Sequence, residues 1–137
     1  MSADLALQKS IRTRLVETAA LTMLVPASSI LDRNQRPAPD PSIIIGEGQT
    51  IDEGDSVARK LQRVFMDLHV WKREPGLGGV KLIAATMRFT LAGRRLALGE
   101  GYSCADIRIS NVRYLRDPDG ETSHAVVTVS ALVEEIA

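Results

Sequence analysis

Lys60-Leu-Gln-Arg-Val-Phe-Met-Asp-Leu-His-Val-Trp-Lys-Arg73 is the stretch that decides the fold. Read with a period of two, Val64, Met66, Leu68 and Val70 fall on one side, and Phe65, Asp67, His69 and Trp71 on the other. The first set is wholly apolar and reads as a core face. The second is mixed, as on a sheet whose other side is only partly covered. A long strand of this kind needs partners on both edges and helices over its apolar side.

Those partners are legible on either side of it. Ile43, Ile44 and Ile45 form a β-branched run, read as a buried strand that ends at Gly46 and Gly48. Residues 28–31 read as a short strand, and the Pro- and Asn-containing stretch 32–41 as loop. Residues 49–59 hold Asp52, Glu53, Asp55 and Arg59 without hydrophobic period and read as a mobile, acidic loop. Toward the C-terminus, residues 104–116 and 121–134 read as a hairpin across the turn Asp117-Pro-Asp-Gly120. Ile107 and Ile109 are odd while Val112 and Tyr114 are even, so a bulge near Ser110 is expected. Leu96 and Leu98 read as one further short strand.

Two helices complete the pattern. Leu7, Ile11 and Leu15 recur every four residues and place a helix over residues 3–19, with a further helical turn before Pro26. Val80, Ile83, Ala84, Met87 and Leu91 make the core stripe of a helix over 77–92. Leu82 and Phe89 fall on nearly the opposite side of that helix, which is one apolar face more than a surface helix requires. The predicted architecture is a single α+β domain, 1–137: a mainly antiparallel sheet with two helices packed on one face.

Composition limits function. The 137 residues carry seventeen Lys+Arg against seventeen Asp+Glu, so the formal charge is zero. A tight nonspecific nucleic-acid binder needs a basic excess. One cysteine, Cys104, rules out an internal disulfide framework and a multi-cysteine zinc site. The N-terminus lacks the form of a signal peptide and no apolar run approaches the ~20 residues that span a bilayer, so a soluble protein with no membrane partner is expected. With 4% aromatic residues, nothing points to a sugar- or base-stacking surface.

Motifs for catalysis are weak. Gly46-Glu-Gly48-Gln-Thr-Ile51 starts like a dinucleotide fingerprint but lacks the third glycine and opens no helix. Gly101-Tyr-Ser-Cys-Ala105 resembles a nucleophile elbow without its last glycine and leads into a strand. The glycines at 76–79 precede a helix, where backbone amides can hold an anion. Asp67 and His69 share a strand face, an arrangement open to metal or acid–base chemistry, with His124 the one further histidine. No catalytic, cofactor or metal residue is assigned. Leu82, Phe89, Asp52, Glu53, Asp55 and Arg59 are assigned instead to a subunit or partner interface.

The helix Leu7-Gln-Lys-Ser-Ile-Arg-Thr-Arg-Leu15 is followed by Ser29-Ile-Leu-Asp-Arg33 and Pro41-Ser-Ile-Ile-Ile-Gly46. Next come the strand Phe65-Met-Asp-Leu-His-Val-Trp71 and the closing Val126-Val-Thr-Val-Ser-Ala-Leu-Val133. This order resembles the tail terminator, or tail completion, proteins of long-tailed phages, in the version carried by gene transfer agents. The resemblance spans almost the whole chain. It implies a homo-oligomeric ring of six subunits on the head-proximal end of the tail tube. Such a ring stops tube polymerisation and offers a surface to a neck or stopper protein. DNA passes through its hole without tight binding, and there is no cofactor. The virion, at the junction of neck and tail, is the implied location, with assembly in the host cytoplasm. Three alternatives stay open on the residues alone: another head–tail connector, a small enzyme built on Asp67 and His69, and an oligomer with a closed pocket for a small ligand.

Overall fold

The computed structural model describes residues 2–54, 60–92, 95–99 and 101–136. Helix α1 covers Ala3–Glu17 and buries Ala3, Ala6, Leu7, Ile11 and Leu15, the predicted stripe with two small residues more. It ends two residues earlier than the pattern 3–19 predicts. Thr18 is extended there, and its hydroxyl donates to the Arg14 carbonyl at 2.7 Å. The short helix α2, Ala19–Thr22, follows. A single 3₁₀ turn, Ala27–Ser29, occupies the start of the expected strand, leaving β1 as Ile30–Leu31.

The central stretch is β3, Leu61–Arg73, and its alternation holds: Val64, Met66, Leu68 and Val70 are buried. It lies between β2, Ser42–Asp52, and β5, Thr122–Glu135, antiparallel to both. Strand β4, Tyr102–Arg116, pairs antiparallel with β5, and β1 pairs parallel with the start of β2. The sheet order is β1-β2-β3-β5-β4.

Two expectations about the sheet need correction. Gln49–Asp52 do not begin a loop: after a bulge between Ile45 and Gly48, the ladder resumes at Gly48↔Met66 and runs to Asp52↔Gln62. The local sequence is polar, but β3 offers a continuous partner edge, and that long-range pairing outweighs local composition. Of the predicted loop 49–59, residues 55–59 lie outside the described residues. Leu96 and Leu98 form no strand; Leu96 is a buried plug, and pairing begins with the bridge Gly99↔Tyr102. The register shift expected at Ser110 is present between Ile109 and Asn111, and a second one lies between Cys104 and Asp106.

Helix α3, Gly78–Ala92, buries Val80, Ile83, Ala84, Met87 and Leu91. With α1 it covers one face of the sheet, and the core lies between them and the alternating inward residues of β3 and β5. Its first turn is capped from within the chain. Glu74 accepts from the Gly79 amide at 2.7 Å and the Val80 amide at 3.0 Å. The anion site that the glycines at 76–79 offer is thus filled by the chain's own carboxylate. No described helix is long and apolar enough to cross a membrane.

Candidate assembly interface

The side of α3 turned away from the core is left uncovered. Leu82 is 55% exposed and Phe89 82%. They stand seven residues apart, two helical turns, and so lie one above the other. The second apolar face read from the sequence is therefore a solvent-facing stripe. No described loop or terminus covers it.

Asp52 and Glu53 sit elsewhere. They close the far end of β2, where the Glu53 amide donates to the Leu61 carbonyl at 2.9 Å. The Glu53 carboxylate pairs with the Arg63 guanidinium at 2.8 Å, and Arg63 also donates to Ser130 at 3.1 Å. Asp52 accepts from Gln62 at 3.4 Å. These acids are anchored to a ladder, in contrast to the mobile loop expected. Asp55 and Arg59 lie outside the described residues. Strands β2 and β4 are on opposite sides of the sheet and α3 packs most closely over β4, so the apolar stripe and the acidic strand end are two separate patches.

The mixed face of β3 holds a third cluster. Across β3 and β5, His69 Nδ1 lies 2.9 Å from His124 Nε2, and His69 Nε2 meets the Glu47 carboxylate of β2 at 2.5 Å. His124 stacks on Trp71, with ring centroids 3.7 Å apart and 8° between planes. The glycines of the failed dinucleotide motif make room for this. A Cβ on Gly46 would stand 2.8 Å from His69 Cδ2, and one on Gly48 2.5 Å from the Phe65 carbonyl oxygen. Burial, then the neighbouring charges of His69 and Arg113, press the His124 imidazole down to about 4, with Glu47 opposing. The hydrogen bond from His69 holds the Glu47 carboxyl below its ordinary value.

Asp67 accepts from the Thr128 hydroxyl at 2.7 Å and does not join His69. Among the described residues no group of three or more His, Cys, Asp or Glu side chains is placed to hold a metal ion. Cys104 is buried, its thiol donates to the Asp106 carbonyl at 3.3 Å, and burial raises its pKa. Sequence reasoning found Asp67, His69 and Trp71 on one face and named His124 as the one further histidine without placing it there, and it missed Glu47. Only the registers Ile44↔His69 and Trp71↔His124 bring those two to it.

Residues 9–134 match the family described as tail completion protein gp17, and the chain belongs to that family. Its fold is similar to that of a chain in the virion of a native gene transfer agent particle. The TM-score is 0.84 at 20% identity, covering 98% of this chain and 99% of that one. A second solved structure shares the fold more loosely, with TM-score 0.60 and 15% identity over 100% of this chain and 98% of that chain. No curated protein sequence matches the chain. The chain is a structural tail protein of a phage-type particle and not an enzyme, which overturns the catalytic alternative built on Asp67 and His69.

Proposed function

We propose that this protein forms the ring that ends the tail tube at its head-proximal side, halts tube polymerisation and joins the tube to the neck. Membership of the tail completion family over residues 9–134 carries this reading. In it, six copies close head to tail. A cyclic ring needs two unlike patches on each subunit. The stripe of Leu82 and Phe89 supplies apolar area of the kind a subunit contact buries, and Asp52 and Glu53, with Asp55 and Arg59, supply a polar contact. The tail tube protein binds one rim and a neck or stopper protein the other. DNA slides through the hole, and a chain of zero formal charge avoids the tight phosphate binding that would hinder it. Assembly takes place in the host cytoplasm.

Negative-stain microscopy of particles from a strain lacking the gene tests the reading. Overlong tails detached from filled heads are the expected result. Normal-length tails without heads would assign the protein to the neck instead. Intact particles would overturn both.

A further inference from the structure

The two sides of the sheet end in open strands of opposite character. Strand β1 pairs only with Ile43 and Ile44, so beyond its bulge β2 has no strand on its outer edge among the described residues. Strand β4 likewise has none beyond it. Side-chain burial repeats the point. The first four residues of β2 are buried and the next seven exposed, including Thr50, which lies opposite the fully buried Val64. On β4, Tyr114 and Leu115 are exposed and Ile107, Ile109 and Val112 only partly buried. Long open edges invite pairing with another chain.

Charge separates the two edges. From Ser42 to Glu53 the β2 side carries Glu47, Asp52 and Glu53 and no base. Asp4 of α1 lines the groove of about 230 Å³ beside it, with Gln8, Gln49 and Thr50. Strand β4 carries Arg108, Arg113 and Arg116 against the single acid Asp106. Arg88 of α3 lines the groove of about 440 Å³ between α3 and β4, where Ala85, Asn111 and Tyr114 form the walls. Lys81 lies over the Tyr114 ring at 5.4 Å.

Deepening the ring reading on which it rests, we infer that the partner of the β4 edge is the β2 edge of a second copy of this chain. The acidic Asp4/Asp52 side of one subunit then faces the basic Arg88/Arg108 side of the next. Strand direction suits this. Strands β2 and β5 both run antiparallel to β3, and β4 runs antiparallel to β5, so β4 is antiparallel to β2. A copy rotated about an axis along the strands therefore presents its β2 antiparallel to β4, and the sheet continues across the boundary. The contact joins unlike patches, so it repeats around a ring. It extends the helical layer too, since α1 of the incoming copy arrives beside α3. Opposite charge selects this pairing over β2 with β2 or β4 with β4.

Charge reversal tests it. One variant carries Asp4→Lys with Asp52→Lys, the other Arg88→Glu with Arg108→Glu; all four side chains are exposed. Each full-length variant is supplied to a strain lacking the gene and is also purified for sedimentation and thermal melting. Each alone, folded as judged by melting, is expected to lose incorporation into particles and self-association. Co-expression of the two restores both, because every boundary in an alternating ring again joins opposite charges. A chain with all four substitutions does the same. A single-edge variant that assembles like the wild type overturns the inference and leaves the tail reading intact. Folded variants that fail to recover on mixing overturn it as well. If deleting the gene leaves particles normal, the terminator reading fails and sedimentation alone decides the pairing. Recovery on mixing then upholds it, and a wild-type chain that stays monomeric overturns it.

Discussion

His124 makes the stability of the fold pH-dependent. Its imidazole is held at about 4 in the folded chain, against an ordinary 6.5, chiefly because burial on the Trp71 ring disfavours the charged form. The unfolded chain therefore binds this proton more readily. Stability is full above pH 6.5, falls as the pH drops toward 4, and loses nothing more below that on this account. From pH 7 to pH 5 the gap corresponds to about 2 kcal/mol. His124 is partly open to solvent, which reduces the expected loss to about 1 kcal/mol, or a fall of roughly 4 °C in Tm. The Glu47 and Asp119 carboxyls are held low, Glu47 by its bond from His69 and Asp119 first by the Glu121 amide. Both lose their contributions only below the ordinary carboxylate values, outside this window. His124→Phe keeps an aromatic ring on Trp71 and removes the titrating group. It also removes the partner of His69 Nδ1, so the comparison is made between the pH slopes of the two chains and not between their absolute stabilities. Urea denaturation of both chains at pH 7, 6 and 5 is the assay. The wild type should lose about 1 kcal/mol more than the variant between pH 7 and 5. Parallel profiles would refute the assignment of a neutral, desolvated His124.

Three further outcomes are expected. Glu74→Ala frees the Gly79 and Val80 amides that it accepts from at 2.7 and 3.0 Å, and should destabilise by about 1–2 kcal/mol in chemical denaturation. Gly48→Ala places a methyl 2.5 Å from a backbone oxygen that cannot swing aside; a loss of about 1–3 kcal/mol and weaker hydrogen-exchange protection at the β2–β3 ladder should follow. Leu82→Glu with Phe89→Glu should leave Tm nearly unchanged, since both side chains are exposed, and should abolish incorporation into particles; normal incorporation would remove the α3 stripe from the interface.

What could be read from the sequence follows periodicity. The alternation of Val64, Met66, Leu68 and Val70 and the helical spacing of Leu7, Ile11 and Leu15 are local consequences of backbone geometry, so they specified the strand, the helix and their buried faces without a structure. The phase slip between Ile109 and Val112 gave the bulge at Ser110 for the same reason. The exposed stripe of Leu82 and Phe89 was legible because a helix has only one inward face. Local pattern does not report pairing between distant segments. Gln49-Thr-Ile-Asp52 looks like loop and becomes strand because β3 runs alongside it. Glu47 and His124 reach His69 only through ladders that join residues 22 and 55 positions apart. The sequence by itself determined an α+β domain with a doubly apolar helix and a likeness to tail terminators. The tertiary structure decided which strands are outermost, and with that the placing of acid on one open edge and base on the other. Strand order is a property of long-range contacts, and no window of the chain contains it.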